Sequence, residues 1–444
     1  MSRENNHDLL VKNGTLVTMD RENRIIENGA VLIREGIIEC VGLSCDLEKG
    51  FTGKVLDAKQ GLVMPGLVNA HTHLPMSLFR GLADDLHLMT WLNEHMFPAE
   101  ARYINSETVH LGTLLSCAEM LLSGTTCCCD GYFHESQVAG AVLESGMRGV
   151  LAQGVIDFPA PGVPDPARNV ECALSFVDQW VNRHPRIRPS IFCHSPYTCS
   201  EETLKKAKRA ARDRGVLFQI HVAETLGEWE QIQKEKGMSP VAFLDHLGIL
   251  DPLTLLIHGI HVDDKDLDII AHRGSTLAHA PESNMKLASG IAPVPGYLDR
   301  GIVCGLGTDG SASNNNLDLF LEMDSAAKLH KVHSNDPTVM DARTVLAMAT
   351  LGSAGAMGLG DLLGSLEKGK YADLIILDTH KPHLVPMYNP VSHLVYSATG
   401  ADVRDVVVAG RLVVENRRLL TFDLDSVLGE VRGFGARLMG DGRG

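Results

Sequence analysis

Residues 65–73 read PGLVNAHTH, an apolar, strand-like run that ends in two histidines one residue apart. On a β-strand successive side chains point to opposite faces, so His71 and His73 share a face and can reach one point in space. The pair predicts two ligands of one metal ion. An isolated pair of this kind is more often a surface or hydrogen-bonded core feature, so the metal interpretation depends on partners elsewhere in the chain.

Seven more apolar, strand-like runs follow this stretch, and segments with helical spacing separate them. Alternating strands and helices are typical of repeated βα units around a parallel sheet. With residues 65–73 the strands number eight, which predicts an α/β fold with a closed (β/α)8 TIM-like barrel. The seven runs are GTTCCCDGYF, GMRGVLAQGVID, RIRPSIFCHSP, GVLFQIHVAET, LTLLIHGIHV, GSTLAHAP and GIVCGLGTDG.

Both ends of the chain have a different residue pattern from the predicted barrel. Short β-branched segments with glycines, such as LLVKNGTLVTMD and KYADLIILD, precede and follow it and suit antiparallel strands. They predict a small β-sandwich domain built from both termini. We expect residues 1–64 to form its N-terminal part, residues 65–365 the barrel, and residues 366–444 its C-terminal part with a terminal segment.

Composition limits the partners of the chain. The formal net charge of -15 argues against nucleic acid, because phosphates require a basic face. The start MSRENNHDLLVKNG is polar, and no run of about 18 apolar residues occurs, so we expect neither a signal peptide nor a membrane partner. With 444 residues and 44% hydrophobic content, the chain predicts a globular cytoplasmic protein with a large core.

Ten cysteines are spread along the chain, three of them consecutive at Cys127, Cys128 and Cys129. No CxxC pair accompanies this run, so neither a metal site nor a disulfide framework is indicated. We expect reduced thiols that pack in an inner barrel strand.

Polar residues mark the ends of the predicted strands, where α/β barrels carry their chemistry. Three imidazoles and one carboxylate are a normal ligand set for zinc or ferrous iron, with a position left for water. We therefore predict His71, His73, His221 and Asp309 as metal ligands. The fourth strand offers no lysine that could bridge two metals, which favours a single ion.

Several motifs together resemble the amidohydrolase superfamily over nearly the whole chain. More narrowly they resemble the 5-methylthioadenosine/S-adenosylhomocysteine deaminases, which are close to the triazine hydrolases. The resemblance implies one divalent ion per subunit, zinc first with Fe²⁺ or Mn²⁺ as alternatives, and a homo-oligomer. The motifs are PGLVNAHTHLPMSLFRGLADDLHLMTWL, HSPYTCSEE, IHVAET, HGIH, HAPESNMKLASG, GTDGSASNN and GSLEKGKYADLIILD.

The resemblance implies hydrolytic deamination of a purine nucleoside: S-adenosylhomocysteine to S-inosylhomocysteine, 5-methylthioadenosine to 5-methylthioinosine, and adenosine as a further candidate, with release of ammonia. Glu224, three residues past a ligand, is the candidate proton shuttle between water and the purine ring. His258 and Asp309 would orient the attacking hydroxide. Whether His258 also binds metal is left open, and we prefer it to His261, which lies farther past the strand end.

The resemblance also indicates substrate contacts. Glu100 would bind the ribose hydroxyls, His194 the purine ring and Ser313 the substrate, alongside Glu224. Arg148 and Arg168 are candidates for the homocysteine carboxylate, which suits a guanidinium fork. The segment DFPAPGVPDPARNVE departs in length and composition from the family pattern.

Two alternatives remain open at this point. One keeps the metal chemistry but acts on a free purine, pterin or triazine ring, as a deaminase or chlorohydrolase. The other is a non-catalytic scaffold that retains only the barrel, which the presence of all four predicted ligands disfavours.

Overall fold

A computed structural model describes residues 8–441 of the chain. The outermost residues of the predicted terminal parts, 1–7 and 442–444, lie outside the described residues. The strands are β1 (Leu9–Val17), β2 (Ile25–Arg34), β3 (Ile37–Leu43), β4 (Lys54–Asp57), β5 (Leu62–Pro65), β6 (Leu67–Thr72), β7 (Thr125–Tyr132), β8 (Arg148–Val155), β9 (Ile187–Cys193), β10 (Phe218–Val222), β11 (Thr254–His258), β12 (Thr276–His279), β13 (Cys304–Leu306), β14 (Leu374–Leu377), β15 (Val403–Val408), β16 (Arg411–Glu415) and β17 (Arg418–Leu419).

The α-helices are α1 (Ser44–Leu47), α2 (Leu88–Thr90), α3 (Phe97–Tyr103), α4 (Ser106–Leu122), α5 (Glu135–Ser145), α6 (Asn169–Trp180), α7 (Glu201–Arg214), α8 (Leu226–Lys236), α9 (Pro240–His246), α10 (Asp264–Arg273), α11 (Pro281–Lys286), α12 (Val294–Asp299), α13 (Ser311–Asn314), α14 (Leu319–Ser334), α15 (Ala342–Ala347), α16 (Ser353–Ala356), α17 (Pro390–Tyr396) and α18 (Leu424–Asp441). Four 3₁₀ turns cover Leu74–Phe79, Pro166–Arg168, Pro382–Leu384 and Gly400–Asp402, and π-helical turns cover Trp91–Met96 and Met348–Gly352. Among residues 8–441, no helix combines the length and the apolarity needed to cross a bilayer.

Strands β6 to β13 form one parallel sheet in sequence order, and helices connect them. The two edge strands meet because the backbone N–H groups of Thr308 and Asp309 donate to the carbonyl of His71, at 3.1 and 3.0 Å. Gly307 makes this approach possible, since a Cβ there would lie 2.8 Å from the His71 nitrogen. The predicted (β/α)8 barrel is confirmed, and its closure places the first and eighth strand ends side by side.

The other strands form a single nine-stranded sheet drawn from both ends of the chain. β5 is its junction, because it pairs in parallel with β1 and antiparallel with β14 from the C-terminal part. The expected small β-domain made from both termini is confirmed. β5 ends at Pro65 and β6 begins at Leu67, so one residue separates the two sheets.

The cysteine run lies in β7 and is fully buried. Cys127 and Cys129 pack with Val68 and Ala152 inside the barrel, while Cys128 belongs to the layer of core under the helices. Burial raises the pKa of the Cys127 thiol to about 12, so it stays protonated.

Arg148 opens β8 at the end of the barrel that faces the terminal sheet. Its Nε and Nη2 donate to the two carboxylate oxygens of Asp373, each at 3.1 Å, and both side chains are buried. The guanidinium also lies 4.2 Å from the ring centre of Tyr371. Asp373 in turn accepts from the Ala409 nitrogen. This ion pair therefore joins the barrel to the terminal sheet.

We expect Arg148→Ala to lower the free energy of unfolding by about 3–5 kcal/mol, because it leaves the buried Asp373 carboxylate without its cation. Urea denaturation followed by circular dichroism measures the loss. Arg168→Ala is the matched control, since Arg168 forms an exposed pair with Glu171. Equal midpoints for the two variants would contradict the structural role of Arg148.

Candidate active site

Four of the predicted polar side chains converge at the carboxyl end of the barrel. The ligand atoms of His71, His73, His221 and Asp309 all lie within 4.8 Å of one another. The Asp309 carboxylate is 3.4 Å from His71 Nε2 and 3.3 Å from His73 Nε2. His221 Nε2 is 3.1 Å from His71 Nε2. The sequence predicts these residues at the ends of the first, fifth and eighth barrel strands, and closure of the barrel brings them together.

Neighbouring polar groups fix the direction of two of the ligands, His73 and Asp309. His73 Nδ1 lies 2.7 Å from the Gly131 carbonyl, so it carries the proton and Nε2 is left to face the cluster. Asp309 Oδ2 accepts from the hydroxyls of Ser283 and Ser313, at 2.7 and 2.8 Å. Its Oδ1 accepts from the nitrogen of Gly310 at 2.8 Å.

The charges of the cluster follow from its burial. Burial lowers the pKa of His71 to about 4. Burial acts the same way on His73, but the contact with Asp309 outweighs it and raises the pKa of His73 to about 9. Burial would raise the pKa of Asp309, yet hydrogen bonds from the two histidines hold it well below its usual range. The Asp309 carboxylate and the protonated form of His73 therefore stabilise each other.

A divalent cation fits this arrangement. The Nε2 atoms of His71 and His221 lie 3.1 Å apart, so both can direct a lone pair to one shared cation. Three imidazole nitrogens and one carboxylate oxygen are the ligand set of many zinc sites. The four residues are thus a metal-binding group by both chemistry and placement.

Glu224 and His258 lie beside the metal-binding group. Glu224 Oε2 is 3.9 Å from His258 Nε2, and burial raises the pKa of Glu224. His258 Nδ1 is 2.8 Å from the amide oxygen of Asn284, which directs Nε2 toward Glu224. His261 points elsewhere, because its Nε2 binds the carbonyl of Ser289 at 2.8 Å.

The backbone at these strand ends is strained and held in place. Ala223, His258 and Asp309 all have positive φ angles, of 52°, 71° and 59°. Such conformations cost roughly 1–3 kcal/mol each in non-glycine residues and cluster at functional sites. Buried Glu228 supports the first of them, since its two oxygens accept from the nitrogens of Ala223 and Glu224 at 2.9 and 2.8 Å.

A cavity opens directly above the metal-binding group, and its floor and walls differ in polarity. The floor is polar, with His73, His221, Glu224, His258 and Asp309. The apolar part of the wall comprises Met76, Leu88, Trp91, Leu92, Met96, Phe97, Phe133, Val155, Ile156, Phe192 and Leu287. Met76, Leu88 and Leu92 stand within the first quoted motif, but the sequence did not mark them as cavity lining, because apolar side chains on helices and strands look the same whether they line a cavity or a core.

Four of the predicted substrate contacts lie in this cavity: Glu100, His194, Glu224 and Ser313. Glu100 is 5% exposed, and the Tyr132 hydroxyl donates to its Oε1 at 2.5 Å. Burial raises the pKa of Glu100 to about 7, against the lowering effect of the Tyr132 hydrogen bond. His194 stands perpendicular to His221 with ring centres 5.2 Å apart.

The two arginines are not in the cavity. Arg148 is at the opposite end of β8 from Val155, the residue of that strand that lines the cavity, and its guanidinium is bound to Asp373. The structure therefore does not bring Arg148 to the cavity, because its guanidinium serves the junction of the two sheets. Arg168 lies on the surface, 62% exposed and paired with Glu171 at 2.9 Å, and the structure does not bring it to the cavity.

Comparison with known proteins shows the family to which the chain belongs. A family model described as "Amidohydrolase family" matches residues 62–413. A 5-methylthioadenosine/S-adenosylhomocysteine deaminase from Syntrophobacter fumaroxidans is 49% identical over 96% of this chain and 97% of its own. The crystal structure of an adenosine deaminase from Xanthomonas campestris with bound zinc has a TM-score of 0.95 at 36% identity, covering 98% of this chain and 99% of that one.

A more distant likeness concerns the fold alone. An atrazine chlorohydrolase from Arthrobacter aurescens, solved with zinc, has a TM-score of 0.89 at 24% identity, covering 96% of this chain and 99% of its own. The family match over most of the chain and the high identity to the first relative agree with the converging histidines and aspartate. The chain belongs to the amidohydrolase family and, within it, to the group of the 5-methylthioadenosine/S-adenosylhomocysteine deaminases.

Proposed function

We propose that this protein is a metal-dependent hydrolase that removes the amino group of adenosine derivatives. Its substrates would be S-adenosylhomocysteine, 5-methylthioadenosine and adenosine, and its products the inosine analogues and ammonia. The observation that carries the proposal is the position of Glu224 and His258 beside the metal-binding group, with buried Glu100 in the same cavity. The names of the relatives and the zinc-containing adenosine deaminase support it.

We propose a single zinc ion as the cofactor, held by His71, His73, His221 and Asp309. The neighbouring adenosine deaminase structure contains zinc, and the ligand set also suits Fe²⁺ or Mn²⁺. When bound, such an ion lowers the pKa of water and so supplies hydroxide near neutral pH.

Glu224 moves the protons of the reaction. It takes a proton from the attacking water and passes it to the ring nitrogen beside the carbon that carries the amino group. A carbon–oxygen bond forms in this step. The proton left on the new hydroxyl then passes through Glu224 to the amino nitrogen, the carbon–nitrogen bond breaks, and ammonia leaves an oxo ring behind. The raised pKa of Glu224 suits a group that must hold a proton between these two steps.

His258 and Asp309 orient the water against the ring. The Asn284 hydrogen bond holds His258 so that Nε2 lies on the cavity side, next to Glu224. The Ser313 hydroxyl donates to Asp309, and Ser313 also lines the cavity. It can therefore contact the substrate while it holds the aspartate in place.

Glu100 selects a nucleoside over a free ring. A carboxylate accepts two hydrogen bonds from vicinal ribose hydroxyls, and Tyr132 keeps Glu100 in place by donating to Oε1. His194 forms the wall next to His221 and faces the purine ring. A cytoplasmic location and a homo-oligomeric assembly stay predictions from the sequence.

We expect Glu224→Gln to retain its metal but to lose about 10²–10⁴-fold in kcat, because the amide cannot carry a proton between water and ring. Release of ammonia from 5-methylthioadenosine measures the loss, and elemental analysis measures the metal. Glu230→Gln is the control, because Glu230 is an exposed residue of α8, and this variant should behave as wild type. Unchanged turnover of the Glu224 variant would remove this residue from the mechanism.

Removal of metal with a chelator should abolish deamination, and added zinc should restore it. Elemental analysis of the purified chain should find about one ion per chain, since one group of four ligands converges among residues 8–441. His73→Ala should reduce metal content, whereas His110→Ala on the surface should not. Two tightly bound ions per chain would contradict the single-ion proposal.

Glu100 should make nucleoside binding depend on pH. Its pKa of about 7 means that the charged carboxylate, the better acceptor for ribose hydroxyls, forms as the pH rises through that value. We therefore expect the KM for adenosine to fall between about pH 6 and pH 8. Glu100→Gln should raise KM and flatten this dependence. An unchanged KM profile in the variant, or better turnover of a free purine or triazine than of adenosine, would favour the ring-only alternative.

A further inference from the structure

The loop after β8 contributes to the cavity although the proposed reaction does not use it. Its first residue, Ile156, lines the cavity, and its second is Asp157. The Asp157 carboxylate accepts from the Ser200 nitrogen at 2.6 Å, the Thr203 hydroxyl at 2.8 Å and the Asn169 amide at 2.9 Å. This is the start of DFPAPGVPDPARNVE, the segment that departs from the family pattern. The anchor at Asp157 fixes the position of the next residue, Phe158.

Phe158 extends a row of rings outward from the floor of the cavity. Its ring is 5.2 Å from that of Phe97, which in turn lies 6.3 Å from that of His194. A groove continues from the cavity along this row, and the two share Phe97, Glu100 and Phe133. The further residues of the groove are Ala101, Phe158, Pro159, Ala160, Pro161 and Pro164.

Glu100 is the one ionisable side chain among the described residues that line the groove. Among the described residues that line the cavity or the groove, none is a lysine or an arginine, and the acidic ones are Glu100, Glu224 and Asp309. A ligand carboxylate placed here would lose water without gaining a cation, which is costly. A thioether and its methyl group would instead gain apolar burial and sulfur contacts with the rings.

We propose that this chain prefers adenosine derivatives with a small, uncharged alkylthio group on the 5′ carbon over those with an amino-acid tail. Phe97, Phe133 and Phe158 form the pocket for that group. The inference rests on the proposed function, since the amino group at Glu224 and the ribose at Glu100 direct the 5′ carbon toward this groove.

The test compares kcat/KM for 5-methylthioadenosine, S-adenosylhomocysteine and adenosine with the zinc-loaded protein. We expect 5-methylthioadenosine to exceed S-adenosylhomocysteine by at least about tenfold, the order of discrimination that an apolar pocket provides. Calorimetry with the Glu224→Gln variant measures the Kd of the two thioethers without turnover, and the same order is expected.

Phe158→Arg tests the groove itself. The half-exposed position accepts a long side chain, and the new cation should raise the kcat/KM of S-adenosylhomocysteine relative to 5-methylthioadenosine by about tenfold. Phe158→Leu is the matched control and should keep the wild-type preference. The same ratio in the Arg and Leu variants would overturn the assignment of the groove.

Adenosine distinguishes a failure of the tail preference from a failure of the proposed function, because it carries no tail on the 5′ carbon. If adenosine is deaminated but the two thioethers react or bind equally, the tail preference is overturned and the proposed function stands. If no adenosine derivative is deaminated, the proposed function fails. The two Kd values then still decide the preference, and equal values overturn it.

Discussion

The structure depends on bringing three imidazoles and one carboxylate to a single buried point. Burial disfavours the charged form of each of these groups, and the contact between Asp309 and His73 offsets that cost. A closed barrel solves the problem, because its strand ends form a ring in which His71 and Asp309 become neighbours through the hydrogen bonds that join the first and eighth strands. The same contact that closes the barrel assembles the metal-binding group.

Rigidity around that point comes from buried polar groups that never touch the cavity. Glu228 holds the backbone that carries Glu224, and Asn284 sets the direction of His258. At the other end of the barrel the pair of Arg148 and Asp373 ties the terminal sheet to β8. Buried ionic and polar groups cost free energy unless they are fully paired, so each of these contacts also specifies one arrangement of its neighbours.

The polarity of the cavity lining changes with depth. Its floor carries most of the charged and titratable groups, while its upper wall and the adjoining groove are mainly aromatic and aliphatic, with Glu100, His194 and Ser313 as polar exceptions. A substrate must therefore present a polar ring downward and an apolar group outward. Glu224 is buried at the floor of the cavity, and this burial raises its pKa, which suits a group that accepts and returns protons.

The sequence by itself determined the eight βα units, the small domain made from both termini and the strand ends that carry histidine, glutamate and aspartate. Periodicity and residue type are local properties, and in a barrel the strand ends share one face, so local patterns were sufficient. Only the tertiary structure decided which apolar residues line a cavity and what each arginine does. Arg148 looked suited to a ligand carboxylate, but its partner Asp373 lies 225 residues away in sequence. Long-range pairing of this kind depends on packing between domains, which no local pattern records.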